Sequence, residues 1–261
     1  MTILDRIIID QIKEIDLRKK AFPIGYWENS PLFKREGISL SQRLQDSSSG
    51  IIAEHKRRSP SLENINTSLS VHQVAKGYEN AGVCGISVLT NQKYFGGSLE
   101  DLTAARVVCN LPLLRKDFII DPYQLFESKA HGADVILLIA AVLDREQIRL
   151  LSETAQNLGL EVLLEVHNQI EIQKVLMPSV NIVGVNNRNL KTFEVSLNTS
   201  KVLARYIPEN FIKVSESGIS STLAIKSLKS HGYHGFLIGE NFMKTESPGI
   251  AANNFIKSLS Q

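Results

Sequence analysis

Eight short apolar runs recur along the chain, and they constrain the fold more than any other feature of the sequence. They occupy residues 51–53, 85–89, 111–114, 135–139, 161–164, 182–185, 211–214 and 236–238. Segments with helical periodicity separate several of them, at residues 71–81, 99–108, 123–130 and 145–158. Short buried strands that alternate with helices predict a parallel sheet covered on both faces. Eight such units in 261 residues predict a (β/α)8 barrel.

A doubly wound open sheet is the main structural alternative. That fold usually has fewer strands and a phosphate-binding loop after the first, and the chain contains neither a GxGxxG nor a GxxxxGK[ST] motif. Apolar residues at helical spacing near the start predict an amphipathic helix before the barrel, at Leu4, Ile7, Ile8, Ile12 and Ile15. We therefore expect one domain over residues 1–261, with a helical extension at 1–48 and the barrel at 49–261.

The composition excludes several classes of protein. With 43% hydrophobic and 21% charged residues, the chain is an ordinary globular protein and not a disordered one. A net charge of +2 gives no indication of a nucleic-acid partner. Cys84 and Cys109 lack metal-ligand spacing, so we expect reduced thiols, no metal and a cytoplasmic location. No uncharged apolar stretch approaches the roughly 18 residues of a membrane span, and we expect a monomer, with an oligomer left open.

Charged and amide side chains follow four of the predicted strands at their carboxyl ends. They are Glu54, Lys56, Lys116, Glu165, Asn186 and Arg188. Alternation along a strand places Glu54 on the side of Ile52, Lys116 on that of Leu114 and Glu165 on that of Leu163. If this side faces the barrel interior, the charges meet at the rim where barrel enzymes hold their active sites. The alternative is that they face outward and form ordinary salt bridges.

Glycine-containing turns after the last two predicted strands indicate a second kind of site. Ser217-Gly218 follows the seventh strand and Gly239-Glu240 follows the eighth, where this fold commonly binds phosphate. Glycines let backbone N–H groups approach an anion, and helix N-termini add a favourable dipole. Ser59, after the first strand, is a candidate for an additional hydroxyl. Each glycine alone is also compatible with a bare turn. Together these residues indicate an enzyme that acts on a phosphate ester without a metal or nucleotide cofactor.

Several blocks of sequence resemble the indole-3-glycerol-phosphate synthase family, in order and over essentially the whole chain. They are IIAEHKRRSPS at 51–61, SVLTNQKYFGGSLEDL at 87–102, LPLLRKDFIIDPYQ at 111–124, LEVLLEVHN at 160–168, VGVNNRNLKTFEV at 183–195, VSESGI at 214–219 and FLIGENFM at 236–243. The chain departs from the family pattern at Leu62, Asn91 and Ser196, none of them at a position assigned to chemistry.

The resemblance implies closure of 1-(2-carboxyphenylamino)-1-deoxyribulose 5-phosphate to indole-3-glycerol phosphate, with loss of CO2 and water and with no cofactor. It implies that Lys116 is the acid at the ketone oxygen and that its surroundings tune its pKa toward the working pH. It further implies that Glu165 is the base of dehydration and that Lys56 is an acid or holds the substrate carboxylate.

The remaining residues of the site follow from the same resemblance. Glu54 positions the lysines and the substrate hydroxyls, and Asn186 and Arg188 orient polar groups of the substrate. Apolar walls for the anilino ring are expected from Phe118, Leu137 and Leu190. The N-terminal segment with Trp27 and Phe33 is expected to fold over the mouth of the barrel.

Three alternatives remain at this point. One is a Schiff-base aldolase in which Lys116 forms an imine with a sugar phosphate. Another is phosphoribosylanthranilate isomerase, an enzyme that shares the phosphate site. The third is a non-catalytic subunit that binds a sugar phosphate. Loss of one of the site's lysines or glutamates would indicate such a subunit.

Overall fold

A closed barrel of eight parallel strands forms the centre of the molecule in a computed structural model, which describes residues 2–60, 62–190 and 192–259. The strands are β1 (Ile51–His55), β2 (Gly85–Leu89), β3 (Leu113–Lys116), β4 (Val135–Ile139), β5 (Glu161–Val166), β6 (Ile182–Asn186), β7 (Ile212–Glu216) and β8 (Gly235–Ile238). Each pairs with the next, and β8 pairs with β1. The predicted (β/α)8 barrel is thereby confirmed. Ser61 and Lys191 of the quoted motifs, and the chain ends of the expected domain, lie outside the described residues.

Helices lie between the strands and before the barrel. They are α1 (Ile3–Ala21), α2 (Ile24–Glu28), α3 (Leu40–Asp46), α4 (Val71–Ala81), α5 (Gln92–Phe95), α6 (Leu99–Val108), α7 (Tyr123–Ala130), α8 (Arg145–Asn157), α9 (Gln169–Val175), α10 (Asn198–Leu203), α11 (Thr222–Lys229), α12 (Glu240–Met243) and α13 (Pro248–Leu259), with a 3-10 turn at Ala204–Tyr206. The predicted helices at 71–81, 99–108 and 123–130 coincide with α4, α6 and α7. No helix among the described residues is long and apolar enough to cross a membrane.

The third strand lies two residues later than the sequence pattern predicts. Residues 111–114 were expected, whereas β3 is Leu113–Lys116. Pro112 has no N–H to donate, although its carbonyl accepts a hydrogen bond from Ile86 at 2.9 Å. The ladder therefore begins after the proline, and Lys116 is the last residue of the strand.

Alternate residues of the strands fill the barrel interior. Ile52, Leu114 and Leu163 belong to one buried apolar cluster, to which β4, β6, β7 and β8 also contribute. Leu40 and Leu44 of α3 join this cluster near the amino ends of the strands, where they approach Gly85 and Gly235. The middle of the interior is thus apolar. Glu161, at the amino end of β5, accepts hydrogen bonds from Ser39 and Ser41, and a cluster of charged groups lies toward the carboxyl ends of the strands.

The first two helices, α1 and α2, pack along the outside of the barrel, and the beginning of α1 reaches its mouth. Trp27 is buried, with its ring 5.2 Å from that of His131 and 6.3 Å from that of Tyr123. Phe33 stacks on Phe126 of α7 at 6.1 Å. The expectation that Trp27 and Phe33 fold over the mouth is therefore wrong, because aromatic residues on α7 bury them against the barrel wall.

Candidate active site

Lys116 lies at the centre of a cluster of buried carboxylates at the carboxyl ends of the strands. Its Nζ is 3.1 Å from Oε2 of Glu216, 3.7 Å from Oε2 of Glu165 and 3.9 Å from Oε2 of Glu54. Lys56 forms a second ion pair, with Nζ 2.8 Å from Oε1 of Glu54. The structure therefore brings together four of the five charged residues predicted for the mouth, and ion pairs connect them there.

The pKa of Lys116 is shifted in the direction opposite to that expected from the sequence. Burial alone lowers the pKa of Lys116, but the carboxylates of Glu216, Glu165 and Glu54 outweigh it and raise the pKa well above its ordinary value. The expectation that the surroundings tune this pKa toward the working pH is wrong for the unliganded site. Lys116 is a firmly protonated ammonium group, suited to donating hydrogen bonds to a developing negative charge.

Two of the three glutamates that contact this ammonium group, Glu54 and Glu216, have pKa values shifted in opposite directions. Burial raises the pKa of Glu54, but Lys56 and Lys116 outweigh burial and bring that pKa below its ordinary value. Burial also raises the pKa of Glu216, and the charges of Glu165 and Glu54 add to this, so the pKa reaches about 7 despite the attraction of Lys116. Carboxylates whose environments separate their pKa values are typical of acid–base sites.

Glu216 is the main functional residue that the sequence analysis missed. A signal was present, because Glu216 follows Val214 at the spacing that places Glu165 after Leu163. Gly184 on the neighbouring strand makes room for this carboxylate, since a Cβ there would lie 2.2 Å from Oε1 of Glu216. The adjacent Ser217-Gly218 turn gave the stronger sequence signal, and that signal indicates phosphate binding.

Asn186 and Arg188 lie beside the cluster at the end of β6. The side-chain oxygen of Asn186 accepts hydrogen bonds from the hydroxyl of Ser217 at 2.9 Å and from the backbone N–H of Arg188 at 3.0 Å. Arg188 donates from Nη1 to the carbonyl of Phe193 at 3.2 Å. Asn186 thus joins the end of β6 to the turn after β7, and Arg188 holds the loop that follows β6.

The predicted phosphate loops lie at one side of the same mouth. Ser217 and Gly218 both have positive φ, at 69° and 76°, which turns the chain sharply after β7. Gly239 follows β8 and immediately precedes the short helix α12, which begins at Glu240. Ser59 lies after β1, the strand that pairs with β8. This arrangement brings three loops together and can receive an anionic group.

A single cavity of about 360 Å³ joins these groups, a volume within the usual range for small-molecule sites. Phe118, Leu137 and Leu190 line it, as expected for the apolar wall, while Ile3, Leu4 and Ile7 of α1 were not foreseen. All predicted site residues line this cavity: Glu54, Lys56, Ser59, Lys116, Phe118, Leu137, Glu165, Asn186, Arg188, Ser217, Gly218, Gly239 and Glu240. In the described part of the chain, no group of three or more His, Cys, Asp or Glu residues is placed to hold a metal ion.

Fold and site together define the class of this protein. It is a (β/α)8 barrel enzyme whose carboxyl mouth combines buried acid–base residues with glycine-containing loops after β7 and β8. Solved barrels are similar in fold alone. One is 3-hexulose-6-phosphate synthase from Salmonella typhimurium, with a TM-score of 0.64, 12% identity and coverage of 81% of this chain and 99% of that one. Thiamine phosphate pyrophosphorylase from Pyrococcus furiosus aligns with a TM-score of 0.61, 13% identity and coverage of 85% and 100%.

Sequence comparison identifies the family. The family model of indole-3-glycerol phosphate synthase matches residues 4–258. The enzyme of that name from Bacteroides thetaiotaomicron is 44% identical over 237 residues, which cover 91% of each chain. That from Lachnospira eligens is 43% identical over 245 residues, or 91% of this chain and 90% of its own. The chain belongs to the indole-3-glycerol phosphate synthase family.

Proposed function

We propose that this protein is an indole-3-glycerol phosphate synthase, a carboxy-lyase of tryptophan biosynthesis. Its substrate is 1-(2-carboxyphenylamino)-1-deoxyribulose 5-phosphate, and its products are indole-3-glycerol phosphate, CO2 and water. The observation that supports this reaction best is the position of Lys116, an ammonium group among three carboxylates in a cavity that also has an anion-binding side and an apolar wall.

Substrate binding uses three parts of the cavity. The phosphate binds at the loops of Ser217-Gly218 and Gly239-Glu240, with Ser59 from the facing loop. The anilino ring lies against Phe118, Leu137 and Leu190, while Asn186 and Arg188 orient the polar groups. These contacts bring the ring carbon that carries the carboxylate close to the ketone carbon.

Lys116 acts in the first chemical step. The ring carbon attacks the ketone carbon, and Lys116 donates a proton to the ketone oxygen as its negative charge develops. The new carbon–carbon bond leaves an iminium in the ring. The electrons of the bond to the carboxylate then flow into this iminium as CO2 departs, so decarboxylation needs no cofactor.

Dehydration uses the other side of the cluster. Glu165 accepts the ring-nitrogen proton while the hydroxyl leaves as water. The ring CH2 beside the nitrogen then loses a proton and the nitrogen regains one, which gives the N–H indole. Lys56 supplies an acidic proton to the leaving hydroxyl or holds the substrate carboxylate in the earlier step. Glu54 lies between the two lysines and holds both in place, at 2.8 Å from Lys56 and 3.9 Å from Lys116.

The titration of Lys116 disfavours the aldolase alternative. A lysine that forms an imine must first be neutral, and enzymes achieve this by lowering its pKa. Here three carboxylates raise the pKa of Lys116. We therefore expect borohydride to trap no covalent adduct between the protein and its ketose phosphate.

Turnover of the purified protein tests the proposal. We expect indole fluorescence to appear when the protein is mixed with the substrate, and Lys116→Ala to lower kcat about 10²- to 10⁴-fold. Lys76→Ala is the matched control, because Lys76 lies on the exposed surface of α4 and pairs with Glu79 one turn away. A folded wild-type protein that binds the substrate without forming an indole would refute the proposal.

The proposal includes an organisation and a location. We expect one domain of extension and barrel that functions as a monomer in the cytoplasm, without nucleic-acid or membrane partners. The cysteines support the location, because both are free and buried, as is usual for proteins of a reducing compartment. Sedimentation of the purified protein tests the monomer.

A further inference from the structure

His167 lies directly behind Glu165, outside the cavity lining, and the mechanism above does not use it. It comes two residues after Glu165 at the end of β5, so alternation places both side chains on the same side. Nε2 of the ring is 3.4 Å from Oε1 of Glu165, and the His167 side chain is only 13% exposed. Lys116 approaches the other oxygen, Oε2, at 3.7 Å. Glu165 therefore lies between the ammonium group of Lys116 and the imidazole ring of His167, one on each oxygen.

Glu171 of α9 holds the other nitrogen of the ring. Its Oε2 is 3.4 Å from Nδ1 of His167 and accepts the backbone N–H of the same residue at 2.7 Å. Its Oε1 accepts a hydrogen bond from the side chain of Asn168, the residue that caps α9, at 2.6 Å. Glu171 is thus fixed by several donors. A ring with a carboxylate at each nitrogen matches an imidazolium, in which both nitrogens donate.

Glu165 needs such a partner because the mouth of the barrel is rich in negative charge. Three glutamates share two lysines at this mouth. Lys56 pairs with Glu54, and Lys116 lies closest to Glu216, which leaves Glu165 without a lysine of its own. Glu165 is 4% exposed, so water supplies little screening. Nε2 of His167 forms no hydrogen bond among the residues that the structure describes, and Oε1 of Glu165, at 3.4 Å, is an acceptor within ion-pair distance of it.

We propose that His167 is a positioning residue for Glu165, and that the chain Glu171–His167–Glu165 holds the dehydration base ionised and oriented toward the substrate. This inference rests on the proposed function and assigns a role to the EVH motif at residues 165–167. The charged groups that face the ring are Glu165 from β5, Glu171 from α9 and Glu216 from β7. Their attraction outweighs burial, which acts in the opposite direction, and raises the pKa of His167.

Kinetics against pH test this role. We expect His167→Asn to lower kcat about tenfold on the acidic limb and to change KM by less than about twofold. The acidic limb itself should move up by about one pH unit, because loss of an opposite charge raises the pKa of a carboxylate. Glu171→Gln keeps an acceptor but removes the charge that supports the imidazolium, so the alkaline limb should move to lower pH. His231→Asn is the matched control on an exposed site.

A measurement independent of turnover separates this inference from the proposed function. We expect NMR titration to place the pKa of His167, assigned from the His167→Asn spectrum, above that of a free histidine, and Glu165→Gln to lower it by about one unit. If the wild type forms no indole-3-glycerol phosphate, the proposed function fails. The titration still shows whether His167 and Glu165 form an ion pair. A pKa that Glu165→Gln leaves unchanged overturns the inference, as does a folded His167→Asn protein with the wild-type pH profile.

Discussion

Glu216 is a buried carboxylate that lies close to two other carboxylates of the site. Its carboxylate is buried at the end of β7, and apart from the contact with Lys116 neither oxygen has a hydrogen-bond partner among the described residues. Burial and two neighbouring carboxylates raise its pKa from 4.5 to about 7. A group whose pKa is raised by folding stabilises the protein below its ordinary pKa and loses that contribution as the pH approaches the folded value.

Glu216→Gln should remove this pH dependence, because the amide does not ionise. We expect the difference in Tm between variant and wild type to move in favour of the variant by a few degrees from about pH 5 to about pH 8. Thermal unfolding followed by circular dichroism measures it. Glu153→Gln on the exposed face of α8 is the control. A difference in Tm that stays constant over this range would contradict the raised pKa.

Single residues also show where sequence reasoning succeeds. Period-two alternation alone could place Glu54, Lys116 and Glu165 on one side of their strands. In the structure, a carboxylate oxygen of each glutamate lies within 3.9 Å of Nζ of Lys116. The direction of the shift in the pKa of Lys116 could not be predicted, since it depends on distances to carboxylates that lie 49 to 100 residues away along the chain.

Among the elements, the packing of β6 against β7 depends on Gly184, a residue without a side chain. Gly184 of β6 lies beside Val214 of β7, and a Cβ on Gly184 would lie 2.2 Å from Glu216 and 2.8 Å from Leu163. Glycine interrupts the apolar pattern of β6 here. Such a glycine within a strand commonly marks a close approach of another group.

Gly184→Ala should therefore push Glu216 away from Lys116. We expect the free energy of unfolding to fall by about 1–3 kcal/mol, as in other overpacked interiors, and kcat to fall with it. Urea unfolding and the fluorescence assay measure the two effects. Gly25→Ala is the matched control, because a Cβ at that position in α2 meets no atom within 4 Å. Equal stability of Gly184→Ala and wild type would show that the strands adjust without cost.

On the scale of the whole molecule, the N-terminal extension contributes to the site by its position along the barrel. Arg18 of α1 pairs with buried Glu127 of α7 at 3.0 Å, and Glu127 also holds buried Arg115, the residue before Lys116. Lys19 pairs with Asp121 at 2.6 Å. These contacts fix the end of α1 on the barrel wall, so that its beginning lies across the mouth.

Leu4→Ala should weaken substrate binding, because Leu4 lines the cavity from α1. Loss of about 1 kcal/mol of apolar contact corresponds to a KM about fivefold higher with kcat little changed. Steady-state kinetics measure both constants. Ile12→Ala in the same helix is the control, since Ile12 is 49% exposed and lies outside the cavity. An unchanged KM in Leu4→Ala would show that α1 covers the mouth without touching the substrate.

From the sequence alone follow the alternation of strands and helices, the barrel, the residues that share one side of each strand, and most of the residues around the cavity. These follow from local periodicity, because a strand buries alternate side chains wherever it lies. Only the tertiary structure decided that Glu216 joins the cluster, that Lys116 is held protonated, that His167 lies behind Glu165, and that Trp27 packs on the outer wall while Leu4 lies at the mouth. These depend on distances between elements far apart in the chain, and Coulomb interactions and packing are sums over such distances.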